Sequence, residues 1–229
     1  PGTDIDPRFS PKGEWIAFIS QNGENGNRIL VGVSPDGSGL RSLSESFDEN
    51  IMDFQWTADE DKILFLAHQG VSSRVFRLQV SSGKFEALGA FNELQVCHSF
   101  SFTNDGRIGA AVISDAHTPS EVYLIKDSGQ SKQKLTQINR EFAGLAPKTE
   151  LLKYRSKDKL DLESLVIKPK DFQEGKRYPL LVIVHGGPAG IFDYGFYPRR
   201  GAYPVFNFAD QGYVLLLPNP RGSTGYGMK

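Results

Sequence analysis

The sequence predicts an all-β repeat region followed by the start of an α/β region, and three observations lead to this division. In the first half, one pattern of aromatic residue, polar turn and strand occurs three times. In the second half, residues 180–184 form a continuous aliphatic run, which is typical of a strand buried on both faces. A second apolar run at 213–217 follows a segment with helical character, and this order is typical of parallel α/β sheets.

Three copies of one pattern make up the repeat region. Each copy begins with an aromatic residue, continues through a four-residue polar turn and ends in a strand. The copies are FSPKGEWIAF from Phe9, WTADEDKILF from Trp56 and FTNDGRIGAA from Phe102. They are spaced by about 46 residues, and the strand-like segments RILVGV, RVFRLQV and EVYLIK keep the same step. In the first turn Pro11 presets φ, and Gly13 tolerates the conformation in which the turn ends.

A second hairpin, closed by a glycine-containing turn, brings each unit to about four short strands, which favours the blade of a β-propeller. A β-sandwich with accidental internal similarity is the alternative. We expect the leading aromatic residues, Phe9, Trp56 and Phe102, to form the core between neighbouring blades. Propellers have about 4–8 blades, so we expect further blades to come from upstream sequence or from another chain.

The region after the repeat is predicted to begin with a connector at about 137–150 and a hairpin with strands at 151–155 and 160–168. A helix at 202–211, ended by Gly212, separates the two apolar strands. We therefore divide the chain into propeller blades over residues 1–138 and an α/β domain over residues 139–229, and we expect both domains to be incomplete.

The two apolar strands both lead into glycine-rich loops, HGGPAG and PNPRGSTGYG. Ligand sites in parallel α/β sheets lie beyond the carboxyl ends of the strands. Glycines let the backbone approach a ligand closely, and backbone N–H groups there can form an oxyanion hole, whose loss costs roughly 3–4 kcal/mol of transition-state stabilisation. His185, Gly186 and Gly187 are thus candidate oxyanion-loop residues, with a structural glycine turn as the alternative.

Composition argues against several classes of function. The formal net charge of −1 lacks the basic excess of most nucleic-acid-binding proteins, and no apolar run reaches the roughly 18 residues of a membrane span. Cys97 is the only cysteine, so we expect a buried thiol and a cytoplasmic location. The four histidines show no zinc-ligand spacing and the glycines no phosphate-binding motif, so no metal or cofactor is expected.

Three stretches together resemble the prolyl oligopeptidase family of serine peptidases, in particular its acylaminoacyl-peptidase-like branch. They are the FSPKG-type turns, YPLLVIVHGGP and ADQGYVLLLPNPRGSTGYG. The resemblance implies a propeller that caps an α/β-hydrolase domain. It also implies a peptidase that cleaves short peptides through an acyl-enzyme without a cofactor.

The resemblance also implies roles for individual residues. Gly187 would donate its backbone N–H to the oxyanion, and relatives with a tyrosine in this loop use its hydroxyl, whereas this chain has His185 at that position. Tyr194 and Tyr197 lie nearby in sequence but are not implied donors. The loop after the second apolar strand would lie close to the active site. Its candidate residues are Arg221, Gly222, Ser223 and Tyr226.

The nucleophilic serine that such a loop serves is expected in a G-x-S-x-G turn, followed in the chain by an aspartate and a histidine. No serine of this sequence has that frame; residues 32–36 and 129–133 come nearest and fail. We therefore expect the triad outside these 229 residues, supplied by the rest of the same protein or by a complementary chain. The 229 residues alone should be inactive. An esterase on the same scaffold, or a non-catalytic propeller-based binding protein, remains the alternative.

Overall fold

The computed structural model describes residues 2–21, 26–142, 144–187, 189–197 and 203–228. The first part of the chain forms three antiparallel units of four strands each, in which every strand pairs with the next one along the chain. Blade one contains β1 (Thr3–Phe9), β2 (Ile16–Gln21), β3 (Arg28–Val33) and β4 (Arg41–Ser42). Blade two contains β5 (Ile51–Trp56), β6 (Lys62–Gln69), β7 (Ser72–Gln79) and β8 (Phe85–Ala87). Blade three contains β9 (Val96–Phe102), β10 (Gly109–Ser114), β11 (Glu121–Lys126) and β12 (Ser131–Lys134).

The turn between the first two strands of each blade has the chemistry that the repeat predicts. In every copy the fourth residue of the turn donates its backbone N–H to the carbonyl of the first. The pairs are Gly13 with Ser10 at 2.9 Å, Glu60 with Thr57 at 3.0 Å and Gly106 with Thr103 at 2.8 Å. All three donors have positive φ, a conformation that glycine adopts without the steric cost that Glu60 bears.

The leading aromatic residues divide into two that are buried and one that is not. Trp56 packs in a cluster that includes Ala17 and Leu30 of blade one, and Phe102 packs in a second cluster with Leu64 of blade two. These two positions confirm the predicted core between blades. Phe9 is 64% exposed, so its predicted burial is wrong in this chain: no described element covers that side of blade one.

The single cysteine lies inside the blades. Cys97 is 1% exposed within the core shared by blades two and three. Burial raises the pKa of its thiol to about 12, and a thiol that stays protonated is a poor nucleophile. Cys97 is therefore a packed core residue, as expected.

The second part of the chain forms one mixed sheet with a short helix. The elements are β13 (Lys148–Arg155), β14 (Asp161–Lys168), β15 (Leu180–Val182), α1 (Val205–Asp210) and β16 (Val214–Asn219). The strand order is β13-β14-β16-β15, in which only the β15–β16 pair is parallel. The predicted hairpin, the helix and the parallel pair are thus all present.

The first apolar strand differs from the expectation. Its strand pairing covers 180–182 rather than 180–184, and the run is not buried on both faces. Val182 is 48% exposed and Val184 60%, whereas Ile183 between them is 7% exposed. The reason is that β15 is the edge strand of the described sheet, with α1 and β16 packed against the Ile183 side only.

Helix α1 is shorter than predicted. It begins at Val205, while the predicted first residue, Ala202, lies outside the described residues. Gly212 follows the helix with φ of +87°, the left-handed conformation that commonly ends a helix. None of the helices in the described part of the chain is long and apolar enough to cross a membrane.

The blades and the mixed sheet share packing contacts. Val71 of blade two and Ala116 of blade three belong to the same buried cluster as Leu165 and Leu215 of the sheet. Tyr194, in the segment after β15, donates its backbone N–H to the carbonyl of Val71 at 2.7 Å. The blades therefore lie against the loops that leave the carboxyl ends of β15 and β16.

Candidate active site

Two loops meet at the carboxyl ends of the parallel strands. We call residues 183–192 the His185 loop and residues 220–227 the Ser223 loop. They follow β15 and β16, which are neighbours and run in the same direction, so both loops emerge at one edge of the sheet. The sequence-predicted site residues on these loops are therefore brought to the same region of the molecule.

A hydrogen bond between His185 and Ser223 joins the two loops. The Nε2 atom of His185 lies 3.0 Å from Oγ of Ser223, which is 3% exposed. The single hydroxyl hydrogen of Ser223 is used in the shorter contact, 2.7 Å to the carbonyl of Pro220. Oγ of Ser223 therefore joins His185 to the Pro220 carbonyl, and Nδ1 of the same ring lies 3.1 Å from the carbonyl oxygen of Gly186. The imidazole ring also packs edge-on against Phe192, with centroids 5.4 Å apart.

Thr224 of the Ser223 loop also binds the His185 loop, at residues 189 and 190. Thr224 donates its N–H to the carbonyl of Gly190 at 3.1 Å, and its hydroxyl to the carbonyl of Ala189. A Cβ atom at Gly190 would collide with the Gly186 carbonyl oxygen and lie 2.7 Å from Nδ1 of His185. Glycine is thus required at position 190 because the loop folds back tightly on itself.

The two glycines after His185 present unused hydrogen-bond donors. Gly186 and Gly187 are both exposed, and Gly187 has φ of +151°, a conformation that favours glycine. Within the described part of the chain, neither backbone N–H donates a hydrogen bond. Exposed, unpaired N–H groups on a loop held by neighbouring contacts are what an oxyanion hole requires.

Asn219, which the sequence analysis did not single out, fixes the end of the His185 loop. Its side chain is 1% exposed in the protein interior. Its Oδ1 accepts the N–H of Phe192 at 2.8 Å, and its Nδ2 donates to the carbonyl of Phe192 at 2.9 Å. The available signal was an amide side chain separated by one proline from the end of the apolar run 213–217.

Two residues predicted on the Ser223 loop turn towards the β13–β14 hairpin. Tyr226 donates its hydroxyl to Oε2 of Glu163 at 2.8 Å, and burial raises the pKa of this phenol. Arg221 forms an exposed ion pair with Asp158 in the hairpin turn. Both side chains therefore contact the hairpin and lie outside the described lining of the cavity that Gly222 and Ser223 help to form.

The phenols of Tyr194 and Tyr197 are also occupied. Tyr194 donates to the carbonyl of Thr149 at 3.1 Å, and Tyr197 donates to the carbonyl of Asp193 at 2.8 Å. Burial raises the pKa of both phenols. Neither tyrosine offers the free hydroxyl that a donor to an oxyanion would need.

The cavity lies between the blades and the two loops and has a volume of about 580 Å³. This is within the range of small-molecule and peptide-sized sites, roughly 300–1,000 Å³. Blades one and two contribute polar and apolar side chains to one wall, and the loops contribute mainly glycines and small residues to the other. The principal lining residues are Asn27, Arg28, Asn50, Met52, His68, Ala189, Ile191, Gly222, Ser223 and Thr224.

Two hydrogen bonds attach the Ser223 loop to blade two and to Glu49, which lies just before β5. The carbonyl of Gly225 accepts the N–H of Gly70 at 2.6 Å, and the N–H of Gly227 donates to Oε2 of Glu49 at 3.0 Å. Burial raises the pKa of the Glu49 carboxyl to about 7, although the bond from Gly227 acts in the opposite direction. The Ser223 loop is thus positioned by blade two and Glu49 as well as by its own sheet.

His68 of blade two and Asp193, which directly follows the His185 loop, attract each other electrostatically. Burial lowers the pKa of the His68 imidazole and raises the pKa of the Asp193 carboxyl, while their mutual attraction opposes both changes. Within the described chain, the buried Nδ1 of His68 has no hydrogen-bond partner. Burial therefore favours the neutral form of each group at this edge of the cavity.

Comparisons with known proteins place these features in context. No family model matches the chain. It is 26% identical over 235 residues to dipeptidyl-peptidase 5 of Trichophyton schoenleinii, covering 100% of this chain and 32% of that protein. Dipeptidyl-peptidase 5 of Arthroderma otae is 25% identical with the same coverage. The chain thus spans about a third of the length of these relatives.

Solved structures show the same fold. The acylaminoacyl peptidase of Pyrococcus horikoshii matches with a TM-score of 0.75 at 22% identity, over 94% of this chain and 32% of that one. Dipeptidyl peptidase 4 of Porphyromonas gingivalis matches with a TM-score of 0.72 at 17% identity, over 97% and 31%. The predicted resemblance to the prolyl oligopeptidase family and the predicted fold class are therefore confirmed.

Proposed function

We propose that the protein carrying this chain is a serine peptidase that cleaves peptide bonds of short peptides through an acyl-enzyme, without a cofactor. In this proposal, residues 1–138 are blades of the capping propeller and residues 139–229 begin the hydrolase domain. The relatives named as peptidases match along the whole chain, which supports this assignment. The rest of the same protein, or a complementary chain, completes both domains.

One observation carries the proposal: the unpaired N–H groups of Gly186 and Gly187 lie at the carboxyl end of a parallel strand, on a loop that reaches the capped cavity. When a serine attacks the carbonyl carbon of the substrate, negative charge develops on the carbonyl oxygen. An N–H that already points at this position stabilises the charge without reorganisation. We assign the N–H of Gly187 this role.

His185 acts as a positioning residue in this scheme. Its bond to Ser223 holds the ring against the neighbouring loop. This bond fixes the position of residue 185, from which the backbone continues into Gly186 and Gly187. Gly190 permits the return of the loop, and Thr224 fastens it. A preorganised donor is worth more than a mobile one, because the reaction then bears no cost of ordering the loop.

We place the nucleophile and the other triad residues outside these 229 residues, because no serine here has the G-x-S-x-G frame. The second N–H of an oxyanion hole comes from the residue after the nucleophile, so the site is completed only in the longer protein. The peptide substrate would enter the cavity under the blades. We assign no nucleic-acid or membrane partner, and a cytoplasmic location is inferred from the single, buried Cys97.

Hydrolysis by the full-length protein tests the proposal. Peptidyl p-nitroanilides should be cleaved, a fluorophosphonate should block cleavage, and the labelled serine should lie outside residues 1–229. The 229-residue chain alone should neither hydrolyse nor react. Faster cleavage of esters than of matched peptides would favour the esterase alternative, and absence of any labelled serine would favour a non-catalytic binding protein.

A further inference from the structure

The cavity between the blades and the two loops contains one unpaired formal charge. Arg28, the first residue of β3, is the only Asp, Glu, Lys or Arg side chain in the described lining. The other polar side chains of the blade wall include Asn27, Asn50 and His68. Burial lowers the pKa of His68, so the positive charge of Arg28 dominates this wall.

The backbone of Arg28 is held firmly while its guanidinium is not. Its N–H donates to Oδ1 of Asn50 at 3.0 Å, and its position in β3 is paired with Gln21 of β2. Within the described part of the chain, the guanidinium group forms neither an ion pair nor a hydrogen bond. The side chain is thus anchored at its base and presents a charged group that no neighbour neutralises.

Four other arginines of the described chain differ from Arg28, because each of them pairs with a carboxylate. In each pair a guanidinium nitrogen lies within salt-bridge distance of a carboxylate oxygen. These pairs are Arg8 with Asp53, Arg77 with Glu86, Arg155 with Asp161 and Arg221 with Asp158. An unpaired arginine at the wall of a cavity can donate hydrogen bonds to an anionic group of a ligand.

Two described carboxylates, those of Asp48 and Glu49, directly precede Asn50, the hydrogen-bond partner of the Arg28 backbone. Asp48 accepts a hydrogen bond from Nδ2 of Asn27 at 3.0 Å. Glu49 accepts the N–H of Gly227 at 3.0 Å, and burial raises the pKa of Glu49 to about 7, which weakens its negative charge near neutral pH. Each carboxyl thus binds another group, and within the described part of the chain neither contacts the Arg28 guanidinium.

We propose that Arg28 binds a carboxylate of the peptide substrate at the blade side of the cavity. This inference rests on the proposed function, since it assumes that a peptide lies in the cavity with its scissile carbonyl at Gly187. A guanidinium group pairs with a carboxylate through two parallel N–H···O bonds, a geometry that a lysine cannot reproduce. Arg28 is then a specificity-determining residue that favours peptides with a carboxylate at the matching position.

The carboxylate can come from two parts of a peptide, which share the same chemistry. One source is the free C-terminal α-carboxylate of a short peptide, and the other is an Asp or Glu side chain. A set of four peptides separates them: the same sequence as the free acid and as the amide, each with either Glu or Gln at one internal position. The discriminating quantity is the ratio of kcat/KM between a peptide with the carboxylate and its neutral partner.

The experiment uses the full-length protein, its R28Q variant and R107Q as a matched control. Arg107 is a highly exposed arginine of blade three that lies outside the cavity lining. Wild type should prefer one carboxylate-bearing peptide over its neutral partner by about tenfold or more, because bonds between charged groups are strong. R28Q should bring this ratio close to one, and R107Q should keep the wild-type ratio.

Three outcomes would overturn the inference: no preference in wild type, an unchanged ratio in R28Q, or an equal loss in R107Q. If wild type hydrolyses none of the peptides, the proposed function fails separately. Calorimetric binding of the same four peptides then still decides the role of Arg28. Tighter binding of the carboxylate peptide to wild type than to R28Q would support it, and equal binding would refute it.

Discussion

The Nε2 atom of His185 and the Oγ atom of Ser223 lie 3.0 Å apart, and this bond ties the loop after β15 to the loop after β16. The two residues are far apart in sequence but follow adjacent parallel strands. A motif histidine that could be mistaken for a catalytic base is thus engaged in holding a loop.

Replacing Ser223 with alanine should lower the free energy of unfolding by about 1 to 2 kcal/mol, because its hydroxyl takes part in two hydrogen bonds, with His185 and with the Pro220 carbonyl. In a double-mutant cycle with H185A, the coupling energy between the two positions should also be about 1 kcal/mol. Urea denaturation measures both. The control is S46A, because Ser46 is an exposed hydroxyl bonded to the Gly83 carbonyl, and its loss should cost under about 0.5 kcal/mol. Zero coupling would contradict the assigned bond.

Replacing Asn219 with alanine should cost more, about 2 to 3 kcal/mol, because the N–H and the carbonyl of Phe192 both lose their partner inside the protein. N219D should also be destabilising, since a carboxylate accepts the N–H but cannot donate to the carbonyl. Thermal or urea unfolding gives the comparison. A cost of N219A below that of S223A would show that the amide does not hold the loop.

Gly190 and Gly186 offer a matched pair of glycines in one loop. An added Cβ at Gly190 meets the Gly186 carbonyl and the His185 ring, whereas an added Cβ at Gly186 meets nothing within 4 Å. G190A should therefore destabilise the protein by about 1 to 3 kcal/mol, and G186A by less than about 0.5 kcal/mol. Equal unfolding midpoints for the two variants would contradict the tight return of the loop.

Glu49 should make stability depend on pH. Its carboxyl has an ordinary pKa of 4.5 in the unfolded chain, and burial raises this pKa to about 7 in the folded protein. Between these values the folded state binds more protons than the unfolded state, so the contribution of Glu49 to stability falls as pH rises from about 4.5 to about 7. The free energy of unfolding of E49Q should fall less over this interval. The same pH dependence in wild type and E49Q would refute the assignment.

The blade repeat was predictable because its signals are local. A turn such as Ser10–Pro11–Lys12–Gly13 is encoded by the φ preferences of its own residues, and the same turn appears at each copy. The parallel pair of strands was visible as two apolar runs joined by a helix. Such features depend on residues that are adjacent in sequence, so they can be recognised from the sequence alone.

Burial was predictable only where the covering partner belongs to this chain. Phe102 is buried because blade two packs against it, while Phe9 carries the same motif and stays exposed. Likewise, the run at 180–184 has aliphatic residues on both faces, but only the Ile183 side meets α1 and β16. The pattern indicates what a residue is suited to, and the neighbouring elements decide whether it is covered.

The contacts of the site were the least predictable part. The contacts of Asn219, Glu49 and Arg28 were not evident from any motif, since they follow from distances across the sheet and between the blades and the loops. Arg221 and Tyr226 lie in the motif, yet both turn away to the β13–β14 hairpin. A motif gives the position of a loop in the sequence, while the direction of each side chain depends on long-range pairing.

The most direct test of the account is the position of the oxyanion in a covalent complex. The full-length protein would be inactivated with a peptidyl phosphonate, whose phosphonyl oxygen takes the place of the oxyanion, and its structure determined. The account predicts this oxygen about 2.7–3.1 Å from the backbone nitrogen of Gly187, with the His185–Ser223 bond intact. A phosphonyl oxygen bound by other donors, more than about 4 Å from that nitrogen, would contradict the assignment of the oxyanion loop.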